Sequence, residues 1–542
     1  VKEYEWIFIF QIIPGGLTMA ETKPPYFLGI DVGTQGLRSG IFDLRGNVIA
    51  LSFYSYPEYH PRPGWAEQDP MDWWKAVQDT VRRCVYEGEI QPEDIASISV
   101  SASSCTVLPV DRFGNPKYRA IMWMDVRAFD QAARINATEN PILKYAGGNE
   151  SPEWMIPKAL WLKENFPDIF TNSDFIVECQ NWVVFKLTDR WVTSLNNAIC
   201  KWNYCPVEDG WPISLLRDLH FEEVLQKWPR EIIPVGKPVG ELTKRAAHEL
   251  GLIPGIPIIQ GGIDAYAAMI GLDVVHPQRL AIVIGSSTCH MALSENPIFS
   301  KGIWGPYYGA VLPEMWILEG GQSSTGSIIK WFSDNFAAQE CREASDIGES
   351  LFDVLDKIAA QVAPGSDGLI VLDNFQGNRS PYQDPLARGA IWGFSLSHSK
   401  AHILRAMYEG TAYGTNHILE TLAQDGFEVQ EMYASGGGAR SKLWLQIHAD
   451  VTNIPIYLTT VEEASTVGTA IYAAVGAGFY DTIPAATLKM VQISGQIYPN
   501  KENHEIYRFY YDKYIKSYFS LRDLMHEVSA RVNRNQNSAR GR

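Results

Sequence analysis

The chain reads as an α/β protein built from two related halves that meet at a cleft. Three observations predict this. An apolar strand, a turn of small residues and a second strand open the sequence at 26–43, YFLGIDVGTQGLRSGIFD, and the same grammar returns at 280–293, LAIVIGSSTCHMAL. Each opening is followed by alternating helical and strand patterns. The length, 542 residues, exceeds what one hydrophobic core usually serves. The expected division is an N-terminal extension at 1–25, a first domain at 26–275, a second at 276–515, and a helix with a polar tail at 516–542.

The elements follow in order. Gly46–Asn47 makes a turn, and VIALSFYSY after it supplies a third strand, so the chain opens as a β-meander. Asp69 is placed to cap a helix with Pro70 in its first turn, and Trp73, Trp74, Val77, Val81, Cys84 and Val85 recur at helical spacing. IASISVSASSCTVLPVD (95–111) returns to strand, and 128–175 reads as helical. IPIIQGGIDAYAAMIGL (256–272) runs from a strand through a Gly turn into a small-residue helix. In the second half, MYASGGGARSKLWLQIHADVTNIPIYL (432–458) reads as strand, Gly turn, helix and strand. VEEASTVGTAIYAAVGAGFY (461–480) reads as an Ala- and Gly-rich helix suited to close packing.

Composition excludes several classes. Asp and Glu exceed Lys and Arg, 62 to 46, for a net charge of −16, the wrong sign for gripping nucleic acid. Seven scattered cysteines include no C-x-x-C and no zinc spacing, which fits reduced thiols in a cytoplasmic enzyme. No apolar run reaches the ~18 residues of a membrane-spanning helix. The short stretch Trp6–Ile13 lacks the basic flank and the cleavage site of a signal peptide, and Met19 is the expected start. The polar end, ARVNRNQNSARGR, is expected to fray.

Four small-residue turns follow apolar strands, at 31–38, 261–264, 285–288 and 435–439. Such turns let backbone N–H groups approach an anion. None is a Walker A loop or a dinucleotide fingerprint. GQSSTGS (321–327) mimics part of a Walker A loop without its lysine and reads as an ordinary loop or a substrate-side wall. Asp31 ends an apolar strand, and Asp264 sits at a strand-to-helix turn. Together they suggest one carboxylate that organises Mg²⁺ on a nucleotide and one that accepts a proton from an attacking hydroxyl. Arg38 is placed to neutralise phosphoryl charge.

These motifs resemble the FGGY carbohydrate kinases, the family of glycerol kinase, xylulokinase and ribulokinase. The likeness spans about residues 26–515. DVGTQGLR (31–38) and IGSST (284–288) are similar to the two phosphate motifs. GGIDA (261–265) is similar to the catalytic-base segment, and SGGGARSKLWLQIHAD (435–450) to the adenosine motif. PGWAEQDPMDWW (63–74) is also typical. The resemblance implies two ribonuclease-H-like domains of the actin-like ATPase fold, and ATP- and Mg²⁺-dependent phosphorylation of a terminal sugar hydroxyl. It implies Asp264 as general base and Asp31 at the metal. It implies Thr34, Gln35 and Arg38 at the γ-phosphate, Gly285 and Ser286 at phosphates from the second domain, and Gly437, Gly438 and Lys442 beside the nucleotide. Ser286 stands where many relatives have Thr and keeps the hydroxyl.

The sugar is read from finer features. GNRSP (377–381) and PEWMIPKALWLKE (152–164) resemble ribulokinases, and SASSCTVLP (101–109) stands where xylulokinases carry G-Q-M-H-G. WMDVR (123–127) resembles a W-x-D-x-R of many members. Ser103, Ser104, Asp125 and Glu153 are therefore the sugar-pocket candidates. The expected substrate is a pentulose, ribulose first, as either enantiomer. Xylulose, ribitol and erythritol are the alternatives within the class. A non-kinase actin-like ATPase and a silent sugar sensor are the alternatives outside it. The expected partner is the sugar alone, without nucleic acid or membrane, and a homodimer is compatible with the resemblance.

Overall fold

The computed structural model describes residues 24–346 and 348–540. Most of the expected N-terminal extension, with Trp6–Ile13 and Met19, lies outside the described residues. The first meander forms as read: β1 Tyr26–Val32, β2 Gly36–Phe42 and β3 Val48–Ser55. β1 is buried along its whole length, as expected of a central strand covered on both faces. Helix α1, Pro70–Glu87, starts where its signals lie, and Asp69 Oδ1 accepts the Met71 N–H at 2.9 Å.

β4, Ile95–Ala102, lies parallel to β1. It stops short of the single strand expected over 95–111. A turn intervenes, with Cys105 at φ 61°, and Val107–Val110 joins a separate four-stranded sheet. The helical stretch expected at 128–175 is also interrupted. Phe129–Asn136 and α2, Met155–Asn165, are separate helices, and the loop between them carries Gly147 and Gly148 at positive φ. β5, Pro238–Glu241, and β6, Pro257–Ile259, complete the first sheet in the order β5-β6-β4-β1-β2-β3. Helix α3, Asp264–Gly271, follows.

The second half repeats this plan. β7 Arg279–Ile284 pairs antiparallel with β8 Thr288–Ser294. β9 Trp304–Tyr308 and β10 Trp316–Gln322 extend that edge. Helix α4, Gly326–Phe336, comes next, then the long α5, Lys400–Gln424. β11 Glu431–Ser435 lies parallel to β7. Helix α6 Lys442–Thr452, β12 Ile456–Thr459, helix α7 Ala464–Gly476 and β13 Ile493–Ile497 complete the sheet, in the order β9-β10-β8-β7-β11-β12-β13. The correspondence is strand by strand. β1, β2, β4 and β6 match β7, β8, β11 and β12 in order and direction. The chain closes with α8, Lys501–Arg540, which sets Tyr507, Tyr514 and Tyr518 into the second core and passes position 515 as one helix.

The halves meet through α3 and α7. A Cβ on Gly271 would lie 1.9 Å from the Ala464 carbonyl oxygen, and one on Gly468 would lie 1.8 Å from that of Ala267. Only glycine permits this approach. The small residues of 461–480 therefore bring the head of α7 against the end of β1. Among the described residues no helix is long and apolar enough to cross a membrane.

Candidate active site

The two small-residue turns at 31–38 and 285–288 stand at the ends of equivalent strands. In the first half the turn after β1 is pinned from behind. The Tyr56 hydroxyl donates to the Gly33 carbonyl at 2.5 Å, Gln68 Nε2 to the Thr34 carbonyl at 2.6 Å, and Trp123 Nε1 to Thr34 Oγ1 at 2.9 Å. Gln35 is exposed at the tip. Asp31 faces Arg38 across the hairpin in strict register. Its carboxylate is buried and accepts Ser101 Oγ at 2.9 Å and Ser465 Oγ at 2.7 Å. Burial raises its pKa above the usual carboxylate value, against the pull of Ser465, Arg38 and Ser101.

Asp264 is the first residue of α3, and it is partly buried. The 102–103 end of β4 lies between this turn and β1. Ala102 bridges Ile263, and the Ser103 N–H donates to the Val32 carbonyl at 3.0 Å. The Asp264 pKa rises to about 7, first through desolvation and then through the charge of Asp31. The backbone N–H of Ala265, 2.7 Å from Oδ1, and Arg38 oppose that rise. A carboxylate so poised is half ionised near neutrality and suits a general base.

The second half supplies contacts that the sequence did not flag. Glu463, just before α7, pairs with Arg38 Nε at 2.8 Å, and its neighbour Glu462 pairs with Arg440 at 2.8 Å. One dipeptide thus ties the 31–38 turn to the loop after β11. Glu319 on β10 reaches across to Lys201 at 2.9 Å and accepts a hydrogen bond from the Tyr266 hydroxyl on α3. Its charge also acts on Asp264. Nothing in NNAICK or WILEGG marks Lys201 or Glu319 in the sequence, because they lie 118 positions apart.

Gly285 and Ser286 are exposed at the second turn. GQSSTGS is not a free loop. It ends β10 and starts α4, and the N–H groups of Thr325 and Ser327 donate to the Ser286 carbonyl at 3.0 and 3.1 Å. It buttresses the Gly285–Ser286 turn. In the loop after β11, Gly437 is exposed with open space where a Cβ would point. Gly438 instead packs inward, where a Cβ would lie 2.4 Å from Ile284 Cγ2. Ser441 caps α6 by accepting the Trp444 N–H at 3.0 Å, and Lys442, its first residue, is exposed.

The sugar-pocket candidates divide. Ser103 and Ser104 lie beside the Asp31 strand end, Ser103 buried and Ser104 partly so. Glu153 lies 3.4 Å from Arg379 of the second half. Asp125 differs from them in being enclosed by its own protein partners. It is fully buried and accepts the Ala66 N–H at 2.6 Å, the Arg127 N–H at 2.8 Å, and the Arg127 guanidinium at 2.7 and 2.9 Å. It holds Arg127 over the Trp65 ring, a scaffold role.

This duplicated sheet plan, with a carboxylate turn in each expected place, is matched by known proteins. The profile "FGGY family of carbohydrate kinases, N-terminal domain" matches residues 26–271, and its C-terminal counterpart matches 280–477. The chain belongs to the FGGY family of carbohydrate kinases. It is a sugar kinase. It is 34% identical to an FGGY carbohydrate kinase domain-containing protein of Xenopus laevis, over 91% of this chain and 96% of that one. It is 34% identical to a ribulokinase of Geobacillus thermodenitrificans, over 91% and 93%. The structure of xylulose kinase from Rhodospirillum rubrum superposes with a TM-score of 0.80 at 25% identity, covering 92% of this chain and all of that one. The fold is the two-domain actin-like ATPase fold of these kinases.

The metal and nucleotide that such a reaction uses can be tested against the residues. Among the described residues no three His, Cys, Asp or Glu side chains form a metal-binding group. Asp31 and Asp264 instead place two mutually repelling carboxylates in one space. Asp31, as a single carboxylate donor, fits Mg²⁺, which is commonly held by one or two carboxylates and by substrate phosphates.

Proposed function

We propose that this protein is a cytoplasmic, ATP-dependent kinase that phosphorylates the terminal primary hydroxyl of a pentulose, ribulose first. The observation that carries the reading is Asp264, poised near neutrality beside Asp31 and the Arg38 turn. The ribulokinase relatives support the choice of sugar, as do GNRSP and the segment at 152–164.

Mg²⁺ and ATP, when bound, supply the phosphoryl group and the cation that offsets its charge. Asp31 holds the metal, directly or through water. Thr34, Gln35 and Arg38 line the transferring phosphate from the first half. Gly285 and Ser286 meet the phosphates from the second, and Gly437 with Lys442 flanks the base. Gly438 serves this loop by packing it on β7. Ser103, Ser104 and Glu153 face the sugar. Asp264 takes the proton from the sugar hydroxyl as that oxygen attacks. Arg38 must turn from Glu463 toward the phosphate, so nucleotide binding exchanges one counter-charge for another. Closure of the halves excludes water, the competing acceptor.

A coupled ADP-release assay across D-ribulose, L-ribulose, D-xylulose, ribitol and erythritol tests the reading. We expect one ribulose enantiomer to exceed the other acceptors at least tenfold in kcat/KM. A preference for xylulose or a polyol overturns the sugar assignment. ADP release indifferent to every acceptor overturns the kinase mechanism.

A further inference from the structure

The stretch GNRSP is mounted with unusual care for a loop. Ser380 Oγ donates to the Gly302 carbonyl at 2.8 Å and accepts the Gly321 N–H at 3.2 Å, and the Ser380 N–H donates to the Gly321 carbonyl at 3.1 Å. Asn378 and Asp384 exchange two backbone hydrogen bonds of 2.8 Å. Arg379 is thereby fixed at its root. Its stem crosses β10 where the strand is bare, since a Cβ on Gly321 would lie 2.9 Å from Arg379 Cδ.

The head of Arg379 faces the first half. Its guanidinium lies 5.3 Å from the centre of the Trp304 ring, and the Lys201 ammonium lies 4.2 Å from the same ring. Arg379 Nη2 is 3.4 Å from Glu153 Oε1, longer than a closed charged hydrogen bond of about 2.7–2.9 Å. The two side chains keep 15% and 20% of their surface exposed. A second link crosses nearby, from Asn149 Nδ2 to Gln383 Oε1 at 3.0 Å. Lys201 in turn pairs with Glu319, which accepts a hydrogen bond from the hydroxyl of Tyr266, two residues after Asp264.

We propose that Glu153 and Arg379 form a gate across the two halves that closes the sugar pocket and sets the length of chain it accepts. The inference rests on the pentulose reading above. A short ketose ends beneath the pair, where the guanidinium donates to its hydroxyl oxygens and the carboxylate accepts from its hydroxyl hydrogens. A longer chain must part the pair and leave two largely buried charges without partners, an arrangement that sites penalise strongly. Because each residue comes from a different half, the gate also couples sugar fit to closure.

The test compares kcat/KM for the preferred ribulose enantiomer, D-fructose and sedoheptulose, with five, six and seven carbons. For Glu153→Gln and Arg379→Ala we expect the KM for that ribulose to rise at least fivefold while kcat stays within threefold. The sedoheptulose-to-ribulose ratio of kcat/KM should rise at least tenfold. The exchange Glu153→Arg with Arg379→Glu should restore part of the selectivity. If Arg379→Ala does not fold, Arg379→Lys, which keeps the charge but not the planar fork, should show the same direction. An unchanged ratio in folded single variants that still use ribulose overturns the gate alone. A wild-type enzyme inactive toward every ketose overturns the pentulose reading and the gate with it.

Discussion

Replacing Asp264 with asparagine separates its chemical role from its electrostatic cost. The amide keeps the shape but neither takes a proton nor repels Asp31. A positioned general base contributes about 10²–10⁴ in rate, so kcat should fall by that factor while ATP still binds. The electrostatic part follows from the pKa of about 7 against 3.8 for an ordinary aspartate. Below about pH 4 the carboxyl is protonated in both folded and unfolded chains and contributes nothing. Between about 4 and 7 the unfolded chain releases its proton while the folded one retains it, so wild-type stability falls as pH rises. Above about 7 the penalty is complete, near 4 kcal/mol at 1.36 kcal/mol per unit. Solvent reaching the partly exposed carboxyl screens about half of this, which leaves about 2 kcal/mol. The variant should therefore melt close to wild type at pH 4 and above it at pH 8. For a domain of about 250 residues the gap is roughly 4 °C. Thermal melts of the ligand-free protein at pH 4, 6 and 8 read it directly. Turnover within tenfold of wild type refutes the base. A melting difference that ignores pH refutes the electrostatic account.

Other expectations follow from the same geometry. Wild-type kcat/KM should lose activity as pH falls through about 7, because the base must be unprotonated to work, and a pH–rate profile measures this. Gly437→Ala should leave the melting temperature within about 1 °C of wild type, since its Cβ meets nothing, yet raise the KM for ATP several-fold by filling that open space. Gly468→Ala should cost about 3 kcal/mol or more in denaturant unfolding, because backbone of α3 stands where the methyl must go. Lys201→Met should destabilise by about 3–5 kcal/mol by stranding Glu319, and adding Glu319→Gln should recover much of that loss in the same measurement.

Much of the site is local in character, and that part is readable in one dimension. Asp31 and its turn sit at the end of a strand, and Asp264 at the start of α3 and the Gly run before α6 each follow one. A strand's period and a turn's glycines are set by neighbours a few residues away. The Asp69–Pro70 helix start was legible for the same reason. WMDVR misled because its motif stated residue types but not direction. Asp125 turns inward to hold Arg127, which only packing could reveal. GQSSTGS misled in the same way, as its backbone serves the Ser286 turn.

The sequence by itself determined that two α/β halves bring carboxylates, small-residue turns and one arginine to strand ends, which is enough to name phosphoryl transfer. Tertiary structure decided which charges face each other. Glu463 meets Arg38, Ser465 meets Asp31, Lys201 meets Glu319, and Glu153 meets Arg379. Every one of these pairs joins the two halves, with partners more than a hundred residues apart. Local periodicity carries no information over such a distance. The close approach of α3 and α7 across Gly271 and Gly468 brings the halves together there, and burial then makes each meeting of charges matter.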